Sequence, residues 1–300
     1  MKIMKPSGWI VYNGNLPGQK FLDFAEMIQE AGNRKHSETK IYKNNDLLSV
    51  LGKHHINLLH EDTLSVPDYV VFTDKDIYLA RSLELLNIAV FNSAQSIAIS
   101  DDKIATYQML AARKLPIPKT IIAPKVFIKE KESLFSLENI VNELGLPLIV
   151  KEAFGSFGEQ VYLIQTMEEL KNKTNQLHGK AYMFQEFIKS SYGRDIRLQV
   201  VGDKVAAAML RTSEEDFRAN ITSGGKMSTY EPTEEEKQLA IAGTKAIGAD
   251  FAGVDLLFGE DGPVICEINS NAHIRNLYEA TNINVADDMI DYILKTLNKK

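Results

Sequence analysis

Two acidic residues and an amide near the end of the chain have the types and spacing to hold a metal ion. Val254-Asp255-Leu256-Leu257-Phe258 and Val264-Ile265-Cys266-Glu267-Ile268-Asn269 read as two strands around a Gly259-Glu260-Asp261-Gly262 break. A three-residue loop, Glu260-Asp261-Gly262, with Gly262 left-handed, sets Gly259 against Pro263 and Asp255 against Glu267. Side chains two apart share a face, so Asp255, Glu267 and Asn269 project together. Two carboxylates about 5 Å apart across strands repel, and a positive charge between them removes the conflict. Carboxylates with an amide oxygen suit Mg²⁺ carrying phosphates. The wet face of an ordinary hairpin is the alternative reading of the pattern. The same alternation puts Cys266 opposite Glu267, in the core, as an inert buried thiol.

Other residues point to phosphate. Lys151 ends an apolar run that turns into Gly155-Ser156-Phe157-Gly158. Glycines let backbone amides approach oxygen, and lysine adds a point charge. No helix and no lysine follows these glycines, so this is not the G-x-x-x-x-G-K-[ST] loop, and an ordinary turn beside a surface lysine is the alternative. Asp195 and Arg197 share a strand face, as does Arg211; Arg218 and Asn220 lie in a polar stretch. Guanidinium groups near a carboxylate–metal site suit a polyphosphate, although a charged loop in water has the same composition. The six histidines form no zinc pattern, and only His273, just past Asn269, stands near the candidate site. G-x-S-x-G is absent.

Those residues need a scaffold. Gly8 to Asn13 reads as a buried strand, with a helix over Phe21, Phe24, Ala25 and Ile28 that Gly32 stops. Strands at Ile41-Tyr42, Tyr69–Phe72 and Ile88–Asn92, alternating with helices, predict an open, mostly parallel α/β layer. Its Gly14/Gly18 loop lacks G-x-G-x-x-G, which argues against a nicotinamide-binding dehydrogenase. A boundary falls near Ser93–Ser100, followed by a helix from Asp101 to Arg113 with Ser100 as N-cap. Beyond it come a helix over 133–144 stopped by Gly145, strands at 148–151, 160–164 and 182–188, and a helix from Met167. A hairpin over Gly202-Asp203, a long loop at 212–229, and helices at 234–247 and 287–297 complete the reading.

The chain has 300 residues, enough for two or three modules. With 44% hydrophobic and 25% charged residues it can build a sizeable core. A net charge of −6 disfavours a general nucleic-acid surface. One cysteine and no membrane-length apolar run lead us to expect a cytoplasmic protein without a membrane partner.

Seven segments in order carry a resemblance. They are Lys103 after Ser100-Asp101-Asp102; Lys151 before Gly155-Ser156-Phe157-Gly158; Gln185-Glu186-Phe187-Ile188; Gly193-Arg194-Asp195-Ile196-Arg197; Asp216-Phe217-Arg218-Ala219-Asn220; Gly253-Val254-Asp255; and Glu267-Ile268-Asn269. From about Asn92 onward the chain resembles the ATP-grasp ligases, and among them the RimK-type family that attaches amino acids, often glutamate, to a carboxylate. The resemblance implies an N-terminal α/β domain (1–95), an ATP-grasp lid subdomain (96–188) and a metal- and substrate-binding subdomain (189–300). It implies that Lys103 and Lys151 contact nucleotide phosphates, that Gly155, Ser156 and Gly158 cover them, and that Gln185, Glu186, Phe187 and Ile188 flank adenine. Asp195 would hold the ribose and Arg197 would face the reacting phosphate. Arg218 and Asn220 would reach in from the lid side. Asp255, Glu267 and Asn269 would bind two Mg²⁺, with Mn²⁺ able to stand in. ATP, a carboxylate acceptor and an amino-acid donor are the implied partners, a homo-oligomer is common among such enzymes, and the reaction would run through an acyl phosphate. A sensor or scaffold that kept the fold without turnover is the alternative. One departure stands out: the family's Ser-Pro-Gly turn after the asparagine is replaced by Ser270-Asn271-Ala272-His273-Ile274-Arg275, which makes His273 or Arg275 a candidate for recognising a substrate carboxylate.

Overall fold

In the computed structural model, residues 5–60, 65–126, 135–156, 158–219 and 224–298 are described. The N-terminal apolar runs become β1 (Ser7–Tyr12), α1 (Lys20–Arg34), β2 (Glu38–Lys43), a hairpin of β3 (Leu48–Leu51) and β4 (Ile56–Leu59), β5 (Tyr69–Phe72), α2 (Ile77–Leu85) and β6 (Ala89–Phe91). Four of these strands form the expected parallel layer, in the order β2-β1-β5-β6. Gly32 does not stop α1. It packs against β2, where a Cβ would lie 2.8 Å from Thr39 Cγ2, and the helix ends at Lys35.

The helix expected over Asp101–Arg113 is α4 (Lys103–Ala112), and the stretch expected to be a boundary forms a further helix, α3 (Ala94–Asp101). Asp102 has extended backbone between them and caps α4, accepting from the Ile104 and Ala105 amides at 2.9 and 3.2 Å. Ser100 caps nothing. Its hydroxyl donates to Ile268 O at 2.8 Å and accepts from Ser270 N at 2.9 Å, tying α3 to the end of a distant strand.

A second sheet, order β7-β10-β8-β9, joins β7 (Thr120–Ile122), β8 (Leu148–Glu152), β9 (Val161–Ile164) and β10 (Tyr182–Glu186), all antiparallel, with α5 (Leu137–Leu144) and α6 (Met167–Gln176) packed on it. Gly145, at φ 76°, ends α5 as expected. The third sheet, order β13-β12-β11-β14-β15, holds β11 (Arg194–Val201), β12 (Lys204–Thr212), β13 (Lys226–Thr229), β14 (Phe251–Gly259) and β15 (Gly262–Asn269). β13 falls inside the stretch expected to be loop. Helices α7 (Glu234–Ala246), α8 (Arg275–Thr281) and α9 (Val285–Leu297) complete the chain; α8, a short helix with no side-chain cap, was not expected.

The two faces of the third sheet differ in chemistry. Ile196, Leu198, Val254, Leu256 and Ile268 pack under α7 and α4. On the other face, Val201, Ala207, Met209 and Phe251 share one core with Phe24 and Ile28 of α1 and with Met289 and Ile293 of α9. The far end of that face is polar. Fully buried Asn92 fixes the N-terminal layer at the Phe251 end of the sheet: its amide donates to Phe251 O and Ser270 O at 2.8 Å each, and its carbonyl accepts from the Asp250 and Phe251 amides. All four hydrogen-bonding capacities of the buried amide are used.

Candidate active site

The polar end of the third sheet faces the second sheet across a cleft of ≈ 800 Å³, counting its open mouth. Lys151 on β8 and Gln185 and Glu186 on β10 line one wall, with Phe187 and Ile188 beyond the strand end. Asp195 and Arg211, Asp255 and Glu267 line the other, from β11, β12, β14 and β15. Lys103 at the start of α4, Gly158, Phe217 and Arg218 close the sides.

Register brings the acidic wall together. Asp255 lies opposite Glu267, as the sequence indicated, but by another route. The turn pairs Gly259 with Gly262, one residue tighter than expected, and a bulge between Asp255 and Leu256 restores the pairing. The bulge also overturns the expectation for Cys266. Instead of entering the core it lines the cleft, with Lys151 Nζ 3.7 Å from its sulfur. Burial pushes the thiol's pKa up.

Arg197 sits opposite Asp255 and Arg211 opposite Asp195. Arg211 binds both Asp195 oxygens at 2.6 and 2.9 Å and reaches Asp255 at 2.9 Å, while Arg197 grips Asp255 with two donors. For Asp255 burial acts upward, but Arg197 and Arg211 outweigh it and hold the carboxyl below its usual range. Asp195, with burial the largest influence and Asp255 beside it, is raised despite Arg211. The sequence offers Arg211 as a guanidinium for polyphosphate, but not as the partner of Asp195 and Asp255. Its signal was an opposite charge facing Asp195 across the hairpin, hidden by a second bulge at Gln199/Val200.

The cations of the cleft meet the glycine turn. Lys103 Nζ donates to Gly155 O at 3.0 Å and lies 3.5 Å from Glu267. Arg218 pairs with Asp216 at 2.7 Å and donates to Gly158 O. Lys151 is buried beside the Tyr107 hydroxyl at 3.5 Å; burial alone would lower its pKa, but Cys266, Tyr107 and Glu267 together raise it. Gly155 and Ser156 are not on the cleft wall; Ser156 points to Lys75 of the N-terminal layer, 3.3 Å away. Asn220 lies outside the described residues.

Four other candidates stand apart from the cleft wall. Arg197 lies behind it on Asp255, and Asn269, paired with Gly253, lies one step beyond it. His273 is wedged against Phe21 and Phe24, its Nδ1–H donating to Lys20 O at 3.1 Å, and burial lowers its pKa to about 4. Arg275 is bound to Asp23 of α1 at 3.0 Å. The structure gives both residues a docking contact instead of a place in the cleft.

A lysine facing carboxylates across a cleft is the arrangement expected of a metal–polyphosphate site. The RimK-like ATP-grasp domain matches residues 100–293. The chain belongs to the RimK-like ATP-grasp family. It is 37% identical over 222 residues to the probable alpha-L-glutamate ligase 2 of Shewanella amazonensis, covering 73% of this chain and 71% of that one. It is 34% identical to human N-acetylaspartylglutamate synthase A, covering 77% of this chain and 59% of the human protein. In fold it matches the ATP-grasp ligase PsnB, TM-score 0.69 at 17% identity over 98% of this chain and 99% of that one. The D-alanine–D-alanine ligase of Bacillus anthracis gives 0.71 at 16%, over 99% and 98%. This RimK-like protein is therefore an ATP-grasp carboxylate–amine ligase, and the sensor and dehydrogenase readings fall. Among the described residues no helix is long and apolar enough to cross a membrane.

Proposed function

We propose that this ligase joins an amino acid, glutamate being the foremost candidate, to the carboxylate of a peptide, protein or small metabolite, through an acyl phosphate and with release of ADP. The charges of the cleft carry the reading: Lys151 on one wall and Lys103 at the side, 3.5 Å from Glu267, converge on the carboxylates of the other wall. A bound triphosphate would turn its oxygens toward these lysines and take Lys103 from Glu267. The donor set suits a hard cation: Asp255, Glu267 and Asn269 project on one face, the Glu267 side chain remains 34% exposed, and a metal at Asp255 would replace a guanidinium contact from Arg197 or Arg211. These three would hold Mg²⁺, two ions in our reading, with Mn²⁺ able to replace it. Bound there, the metal neutralises charge on the phosphoryl group in transfer.

In the first step a carboxylate oxygen attacks the γ-phosphorus, the bond to the β-bridging oxygen breaks, and ADP leaves with the electron pair. In the second, the amine nitrogen attacks the carbonyl carbon, the C–O bond to phosphate breaks, and the nitrogen loses a proton. Lys103, Lys151 and Arg218 place and balance the phosphate charge, and Arg197 and Arg211 hold the acidic floor in register. Gln185 to Ile188, with Phe187 edge-on to Phe217, line the part of the cleft where adenine would lie. Asp195 faces the cleft beside it, suited to a ribose hydroxyl. Relatives named for glutamate ligation support the choice of amino acid.

Isotope transfer tests the route. With ¹⁸O in the acceptor carboxylate, one labelled oxygen should appear in inorganic phosphate for each amide formed. Unlabelled phosphate, or AMP in place of ADP, overturns the proposal.

A further inference from the structure

We propose that Lys75, in the N-terminal layer, is a positioning residue for ligation that seats the glycine turn on the cleft. Three cations hold this turn. Lys103 takes Gly155 O, Arg218 takes Gly158 O, and Lys75 takes the Ser156 hydroxyl at 3.3 Å while paired with Asp101 at 2.6 Å. The first two line the cleft, where bound phosphate oxygens compete for them. Lys75 and Ser156 are not on the cleft wall, so their bond survives when the other two are exchanged for phosphate. Asp101 ends α3, and Asp102 then caps the helix that Lys103 opens, so Lys75 also fixes the turn relative to Lys103.

The role follows from the chemistry proposed above, on which it rests. Water attacking the carbonyl carbon of an acyl phosphate regenerates the carboxylate and releases phosphate, so ATP is spent without an amide. A seated turn excludes that water. Lys75 lies outside the matched 100–293 segment, and through it the N-terminal layer governs how tightly the intermediate is enclosed.

Two measurements test this in K75M, K75R, S156A and K75M/S156A. In the nucleotide-free protein, exchange of the Glu159 amide, which donates to Ser156 O at 3.3 Å, should quicken about fivefold in K75M and in S156A. This needs no turnover, so it stands or falls independently of the acyl-phosphate route. In turnover, ADP released per amide formed should rise severalfold in K75M and S156A alike, rise no further in the double variant, and return toward the wild-type value in K75R. Unchanged exchange, an unchanged ratio, or an effect of K75M with none of S156A overturns the proposal; the last would place the role in the Asp101 pair.

Discussion

Arg211 shows how much one side chain can carry. It is 6% exposed and contacts both Asp195 and Asp255, themselves 8% and 4% exposed. Burial alone would lower its pKa, but the two carboxylates raise it, so it stays charged through the neutral range. Removing it leaves the two buried carboxylates with Arg197, which hydrogen-bonds Asp255 and acts on Asp195 at longer range. An unpaired buried charge costs about 3–5 kcal/mol. Arg211→Ala should therefore lose about that much in denaturant unfolding, and D195N should recover part of it, because the neutral amide no longer needs a cation. Arg211→Lys should not rescue, since a lysine cannot reproduce the two-pronged grip. If R211A matches wild-type stability, the buried ion network does not exist as described.

Elements put such residues in place, and here the sequence was only partly legible. The central strands were readable because unbroken apolar runs such as Tyr69–Phe72 have no other use, and that strand's bounds match the expectation. Pairings that depend on a bulge were not. The Asp255–Glu267 pairing was anticipated with a turn one residue too long, and the bulge that compensates turned Cys266 into the cleft. Nothing in the local pattern marks a bulge, because it is set by what the sheet packs against. The cap at Asp102 was likewise hidden, since Ser100 has the type of a cap but serves a distant strand. Gly253 gives this scale its test. It lies on β14 opposite Asn269, and a Cβ there would stand 2.5 Å from Ala272 Cβ and 3.0 Å from Arg197 Cδ. Ala272 Cβ is fixed to its backbone and must move with the loop that follows Asn269. Gly253→Ala should cost about 1–3 kcal/mol by overpacking and displace Arg197 from Asp255. The check is a denaturant midpoint together with kcat for amide formation; a stable, fully active G253A would mean that the loop yields freely.

Across the whole molecule, the N-terminal layer and the C-terminal helices share a core instead of meeting at a wet interface. Ile10, Phe24 and Ile28 pack in one cluster with Phe251, Ile274, Met289 and Ile293. Ion pairs rim it: Arg34–Asp287 at 2.9 Å, Lys35–Asp291 at 2.7 Å and Arg275–Asp23. Such partly exposed pairs contribute about 0–1 kcal/mol each, so the apolar seam dominates. His273 lies in that seam between Phe21 and Phe24, with Lys20, Asp23 and Arg197 the charges nearest it. Burial, then Lys20, lower its pKa from 6.5 to about 4. The neutral ring is thus the folded form, and an unfolded chain binds a proton that the folded one refuses between those values. The sign follows from linkage: stability is complete above pH 6.5 and falls as the pH drops toward 4. A shift of this size corresponds to about 3 kcal/mol over that window. His273→Asn, which cannot take up a proton there, should unfold with a flatter pH dependence from 6.5 to 4 even if it is less stable at neutral pH. Denaturant unfolding of the two proteins at several pH values decides it, and parallel curves would remove His273 as the source of acid sensitivity at the seam.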